Sequence, residues 1–360
     1  MTPHTSPDST TWFEDNRKNW DDRAAVHRAS GYGIPELIED SEAIPSTLAP
    51  DVDRLGDLRG AAVIHLQCHL GTDTVGLSRL GASRVVGVDL SGASIAHARE
   101  IAESCAADIE YVEANVYSAR ATVEGTFDLV YTSLGVLCWL PDIDAWARVV
   151  ASLVSPGGRF FIRDDHPMFM TVGEDVSNGL RIEQPYFQRD TPLTWEDEGS
   201  YIEIAAEAPE ITHTRNHQWN HSLGEIVTAL VRAGLVIDAL EEVPYSAWCP
   251  WPELMIDDEE RGYRLRERPE RLPLQFVIEA HRPSKNGPAV RSPTLPPPCA
   301  PQPRGVGAPR LPQPGGVDPQ RQHPAAEGEP VRGEPDGALD DQRDDERPQD
   351  PADLPRDERR

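Results

Sequence analysis

The chain has 360 residues, with 34 Lys and Arg against 61 Asp and Glu, for a net charge of −27. A surface this acidic repels phosphate backbones and anionic lipid, so neither nucleic acid nor a membrane is expected as a partner. No apolar run approaches the ~20 residues of a bilayer span, and the opening MTPHTSPDSTTWFEDN lacks a basic-then-apolar signal pattern.

Five scattered cysteines, an odd number, read as reduced thiols in the cytoplasm rather than as a disulfide framework. From Pro283 onward lie 18 of the 34 prolines and no Phe, Trp or Tyr. Such a stretch cannot bury enough apolar surface to offset its ordering entropy. Residues 283–360 are therefore expected to be a disordered Pro/Arg/Asp-rich tail. That tail holds 11 basic and 14 acidic residues, so −24 of the net charge belongs to residues 1–282.

Residues 1–59 read as helical and loop material outside the main sheet, forming a lid. Over 60–282 strand-like and helix-like runs alternate, the pattern of a parallel sheet wrapped by helices. AAVIHL (61–66) is a first strand, and TDTVGLSRLG (72–81) a helix stopped by Gly81. RVVGVDLS (84–91) is a second strand ending in Asp89. A helix over 91–106 follows, with Ser91 as its N-cap. IEYVEANV (109–116) and FDLVYTSLG (127–135) are strands three and four. A helix over 143–158, broken by Pro-Gly-Gly, leads to a fifth strand over 159–165. Residues 167–221, richer in Pro, Thr, Trp and acids, form an insertion over the site. A further helix, the breaker Gly234 and two closing strands complete seven. The expected fold is α/β: a Rossmann-like, doubly wound, mostly parallel seven-stranded sheet with an inserted lid region.

In open parallel sheets ligands sit at the carboxyl ends of the strands, where the winding reverses. HLQCHLGTDT (65–74) occupies that place after the first strand. Asp89 ends the second strand 22 positions after Gln67, close to the ~20-residue offset at which an acid binds a ribose diol. The alternative role for Asp89 is an acid interacting with the dipole of the following helix.

VIHLQCHLGTDTVGLSRLGASRVVGVDLSGASIAHARE, followed by FDLVYTSLGVLCWLPDIDAWARVVASLVSPGGRFFI, resembles the class I S-adenosylmethionine (SAM)-dependent methyltransferases. The LQCHxG loop itself is similar to that of a bacterial subfamily. The resemblance implies SAM as cofactor, methyl transfer to a small-molecule acceptor, and a set of contacts. The family's glycine-rich loop falls on His65 to Gly71, with Gln67 and His69 in place of glycines and only Gly71 kept. Cys68 lies between them. Asp89 takes the ribose, with Leu90 beside the adenine. Asn115 falls where the adenine amine is capped, and Val116 packs on the ring. Thr132 and Ser133 hold the amino-acid end.

Asp164, Asp165 and His166 follow the fifth strand near the cleft, and His166, with an ordinary pKa near neutrality, is the candidate base. Tyr131, Trp139 and Asp165 are candidates for the acceptor pocket. His65, Cys68 and His69 within five positions suggest zinc, but no further ligand pair with metal spacing follows. His213, His217 and His221 likewise lack a carboxylate or cysteine partner at matching spacing, and no metal is expected. Two other readings stay open. One is a non-catalytic SAM-binding protein with a degenerate loop. The other is an NAD-type oxidoreductase, which would call for more glycines in the loop and a later His/Lys or Tyr/Lys pair.

Overall fold

The computed structural model describes residues 7–258 and 261–284. The predicted tail lies outside them apart from its first two residues. The chain opens with helix α1 (Pro7–Ala29), short helices α2 (Ile34–Glu39) and α3 (Val52–Leu55), then strand β1 (Ala62–Leu66). The βα alternation follows: α4 (Thr72–Arg79), β2 (Arg84–Asp89), α5 (Gly92–Ser104), β3 (Glu110–Glu113), α6 (Ala119–Thr122), β4 (Phe127–Ser133), α7 (Ile143–Leu153) and β5 (Val154–Asp165). The insertion contributes β6 (Leu193–Glu196) and β7 (Arg215–Gln218), which pair antiparallel. Then come α8 (Leu223–Arg232), β8 (Val236–Val243), a hairpin of β9 (Met255–Asp258) with β10 (Gly262–Leu265), and β11 (Gln275–His281).

Seven strands make the main sheet in the order β3-β2-β1-β4-β5-β11-β8. The first five are parallel, and β11 is antiparallel to both β5 and β8. The winding direction reverses between β1 and β4, which places a crevice at their carboxyl ends. Because β1 and β4 are covered on both faces, they read as nearly unbroken apolar runs. Trp146, Val150 and Leu153 of α7 and Ile226 and Leu230 of α8 pack on one face. Ile95, Ala98 and Ile101 of α5 pack with Tyr111 and Val75 on the other.

Local signals explain the boundaries. Ser91 Oγ accepts from the Ser94 N–H at the start of α5, and Ser222 with Glu225 forms a capping box on α8. One boundary differs from its expectation. The helix predicted over 143–158 ends at Leu153, and the strand predicted from 159 already begins at Val154. Pro156 has no N–H to continue a helical ladder, so the chain is extended through the Pro-Gly-Gly segment.

The N-terminal segment holds a continuous 23-residue helix whose buried residues are mostly polar. Asn16 exchanges two hydrogen bonds with the backbone of His217, at 2.9 and 2.7 Å. Asn19 donates to the His213 carbonyl. Arg23 donates to Asn19 at 2.8 Å and to Asp197 at 2.9 Å. Asp21 reaches the start of α5, accepting from Ser91 Oγ at 2.7 Å and the Ala93 N–H at 3.2 Å. Among the described residues no helix is long and apolar enough to cross a membrane.

Candidate functional site

A cleft opens at the carboxyl ends of β1, β2 and β4. Its floor is the loop after β1. Gln67, His69 and Gly71 all take left-handed backbone, with φ of 58°, 48° and 72°. Two of these are side-chain-bearing residues, for which the region costs about 1–2 kcal/mol each. The loop thus keeps the path of a glycine-rich turn without its glycines. Gly71 itself cannot take a side chain in place, because an added Cβ would lie 2.3 Å from the Tyr111 hydroxyl.

Asp89 fixes this path. Its Oδ2 accepts from the His69 N–H at 2.8 Å and its Oδ1 from the Ser91 N–H at 2.9 Å. Burial pushes the carboxyl up to about 6, partly opposed by these N–H donors. A second carboxylate, Asp73 in the first turn of α4, is also raised to about 6 by burial. It accepts from Thr47 Oγ1, and from Ser133 Oγ at 3.2 Å. Gln67 donates through Nε2 to the Val136 carbonyl at 3.0 Å, while its buried Oε1 has no hydrogen-bond partner among the described residues. Of the described lining residues only Asp73 and Asp89 carry a formal charge, and no Lys or Arg is among them.

An aromatic cover closes over the floor from outside the sheet. Trp20 of α1 stands edge-on to His69 and to Trp139, with ring centroids 5.1 and 5.3 Å apart. Tyr32 bonds through its hydroxyl to that of Tyr201 in the insertion. Beneath them His69 Nε2 and His27 Nδ1 lie 2.8 Å apart, and His27 Nε2 meets Ser200 Oγ at 2.7 Å. Burial pushes both imidazoles toward the neutral form, His27 down to about 3. Neutral rings let each nitrogen pair donate once and accept once.

The structure brings Gln67, Cys68, His69, Asp89, Leu90, Asn115, Val116, Ser133 and Trp139 together around this cleft. The Cys68 side chain points into the apolar cluster with Tyr111, beside Gly87. Asn115 Oδ1 caps the turn at Val116–Ser118. Trp139 donates to the Gly135 carbonyl at 2.7 Å. Gly71 belongs to the same loop but is not among the described lining residues.

Four candidates lie elsewhere. Thr132 is fully buried and donates to the Leu66 carbonyl, joining β4 to β1. Tyr131 points to the opposite face of the sheet, stacked on Phe161, with its hydroxyl donating to Asp51. That contact completes a buried ion pair, Arg163 Nε to Asp51 Oδ1 at 2.8 Å. Asp165 borders a second, smaller cavity. His166 does not face the cleft: its Nδ1 accepts from the Met168 N–H, so Nε2 donates to Glu242 at 2.7 Å. A ring held at both nitrogens has no lone pair to offer a substrate proton.

The two histidine clusters resolve into separate pairings. His65 bonds to Thr74, His213 to Asp22, His217 to Asp15 and Thr194, and His221 to the Leu140 carbonyl. Among the described residues no group of three or more His, Cys, Asp or Glu is arranged to hold a metal ion.

Sequence reasoning missed Asp73, Thr47, Tyr32 and Tyr201. Of these only Asp73 carried a signal, an acid in the first turn of the helix that follows the loop.

The chain is 34% identical over 132 residues to the ubiquinone biosynthesis O-methyltransferase of Neisseria meningitidis serogroup C (strain 053442), covering 36% of this chain and 52% of that protein. It is 32% identical over 160 residues to the enzyme of the same name from Cronobacter sakazakii (strain ATCC BAA-894), covering 44% and 62%. The matches therefore span about half of those relatives' length. Among solved structures it is similar to an S-adenosylmethionine-dependent methyltransferase from Mesorhizobium loti, with a TM-score of 0.44, 22% identity, and coverage of 68% of this chain and all of that one. Residues 64–160, which span the loop, the Asp89 strand and the start of β5, match the family model described as a methyltransferase domain.

Proposed function

We propose that the protein is a SAM-dependent methyltransferase that passes the sulfonium methyl to a small-molecule acceptor by in-line displacement. The observation that carries this is the charge of the cleft. Two carboxylates and an orphaned amide oxygen line a space at the sheet's switch point, and no Lys or Arg is among the described lining residues. SAM bears a sulfonium and an ammonium, and both find acceptors there. A dinucleotide would bring its pyrophosphate against Asp73 in the first turn of α4, where anion binding needs bare N–H groups. The matched family model and the relatives' names, O-methyltransferases of ubiquinone biosynthesis, support the same reading.

In this reading Asp89 accepts from the ribose hydroxyls. Leu90 and Val116 sandwich the adenine, and Asn115 meets its edge. Gln67, Asp73 and Ser133 hold the amino-acid end. Cys68 and His69 contribute through the loop backbone, and Gly71 by letting the turn close on Tyr111. When bound, SAM supplies a methyl already activated by its positive sulfur. The protein's part is then to align and to exclude water, which in well-oriented systems is worth ~7–11 kcal/mol. Trp20, Trp139, Tyr32 and Tyr201 are the water-excluding cover.

Calorimetric titration tests the assignment: SAM binds and NAD does not. Labelled SAM incubated with a metabolite extract then yields a labelled product. Binding of NAD in place of SAM would overturn the reading. SAM binding with no labelled product from any extract would favour a non-catalytic SAM-binding protein.

A further inference from the structure

The wall of the cleft that leads out of β4 is a tight turn. Leu134 and Gly135 both take left-handed backbone there, with φ of 33° and 69°. For leucine that region is disfavoured by contact between its Cβ and the backbone, so the turn has to be held from outside. The single helical turn Leu137–Trp139 follows at once, and Val136 at its N-cap position has no side-chain acceptor for the first N–H groups.

The missing acceptor comes from the neighbouring strand. Asp164, near the end of β5 and 3% exposed, accepts through Oδ1 from the N–H groups of Gly135 and, at 3.2 Å, Val136. Its Oδ2 accepts from the Leu137 N–H at 3.0 Å, and Oδ1 also takes the Asp165 N–H at 2.9 Å. Successive N–H groups converging on one anion form a nest. Burial pushes the carboxyl up, and these four donors oppose that. The turn and the carboxylate thus satisfy each other.

The other side of the turn is the cleft. Ser133, Leu134, Gly135, Val136 and Trp139 line it, whereas Asp164 is not among the described lining residues. Two hydrogen bonds carry the position of the turn across the site. The Val136 carbonyl accepts from Gln67 Nε2 at 3.0 Å, tying the turn to the loop after β1. The Gly135 carbonyl accepts from Trp139 Nε1 at 2.7 Å, which sets the indole that Trp20 meets edge-on. One carboxylate behind the wall therefore holds two carbonyls in front of it, and through them both floor and cover.

We infer that Asp164 is a positioning residue for the methyl donor: without lining the cleft, it fixes the turn whose carbonyls orient Gln67 and Trp139. The inference rests on the methyl-transfer reading for the identity of the ligand. Its geometric half, the hold on the cleft wall, is measurable with no ligand present.

The test uses the full chain, with NMR of the ligand-free protein and calorimetric titration with S-adenosylhomocysteine. In the unaltered protein the amides of Gly135, Val136 and Leu137 should exchange slowly with D2O, because each bonds to a buried carboxylate. Exchange as fast as in an exposed loop would overturn the inference. D164N keeps the size of the side chain but replaces one acceptor oxygen by a donor that faces an N–H. It should move the indole N–H resonance of Trp139 and weaken S-adenosylhomocysteine by about tenfold, as for a lost charge-assisted hydrogen bond. V150A truncates the core under α7 and controls for lost stability. It should lower the melting temperature while leaving the indole resonance in place and the affinity within about twofold.

G135A guards against D164N failing to fold. An added Cβ there meets nothing within 4 Å, yet alanine strains the left-handed turn. It should move the same resonance and weaken S-adenosylhomocysteine by about threefold. Absence of either change in D164N, or in G135A should D164N not fold, would overturn the inference, as would equal changes in V150A. If S-adenosylhomocysteine does not bind the unaltered protein, the methyl-transfer reading fails instead. Amide exchange and the Trp139 resonance then decide by themselves whether Asp164 holds the cleft wall.

Discussion

The left-handed backbone at Gln67 can be isolated by comparing two substitutions, Gln67→Gly and Gln67→Ala. Both delete the Nε2 bond to Val136, worth about 0.5–1.5 kcal/mol. Both also delete the orphaned Oε1, whose burial costs about 1–3 kcal/mol. These side-chain effects cancel between the variants and leave only the backbone. At φ 58° alanine retains a strain of about 1–2 kcal/mol. Glycine escapes it but gives up about 0.5–1 kcal/mol in unfolded-state entropy. Gln67→Gly should therefore be more stable than Gln67→Ala by about 1 kcal/mol, or about 2–4 °C in melting temperature for a folded unit of this size. Urea unfolding and thermal melts of the ligand-free variants measure the difference. An alanine variant as stable as the glycine variant would refute a left-handed turn at this position, and with it the claim that the loop keeps the path of a glycine-rich one.

Asp89→Asn should weaken SAM by about 1–3 kcal/mol, the cost of poorly paired ribose hydroxyls, and unchanged calorimetric affinity would place the ribose elsewhere. Burial raises Asp89 and Asp73 to about 6 in the free cleft, and each accepts from the ligand much more strongly as a carboxylate. SAM affinity should thus fall as pH drops through 6, by about tenfold at pH 5 for one such group; a flat profile from pH 5 to 8 contradicts this. For stability of the ligand-free protein the sign reverses. Carboxyls raised by folding favour the protonated native state, so their contribution is full only below the ordinary value of 3.8 and is lost as pH rises through about 6. Asp51→Asn leaves Arg163 buried without its counter-charge and should cost about 3–5 kcal/mol in urea unfolding; a loss under about 1 kcal/mol would show that the pair is dispensable. Ending the chain after Ser284 should leave melting temperature and SAM affinity unchanged, since the removed stretch has no aromatic residue to add to a core; a drop of several degrees would contradict that.

What could be read from the sequence were features carried by local rules. Ser91 as an N-cap, Asp89 at a strand end and the 2-to-3.6 switch of apolar period all act within a few residues, so the sheet and the acid at the end of β2 were legible. Residues 1–59 read as helical and loop material, but the bounds of α1 were not legible, because apolar periodicity is the usual signal and its buried residues are mostly polar, Asn16, Asn19, Arg23 and His27 beside Ala24 and Val26. Those residues are satisfied largely by partners some 200 positions away, which no local pattern encodes. Distance in the chain likewise hid the Glu242 partner that occupies His166. The loop was legible only in part. Non-glycine residues seldom adopt positive φ, so Gln67 and His69 in place of glycines did not announce the left-handed backbone found there.

The polar stripe of α1 has a bearing on how the chain is made. This helix leaves the ribosome well before its seat, because the segment that receives Asn16 and Asn19 is synthesised about 200 residues later. A greasy stripe would be a sticky liability through that delay. One built of amides and a guanidinium can remain wetted until its seat arrives, and exchange water for backbone carbonyls only then.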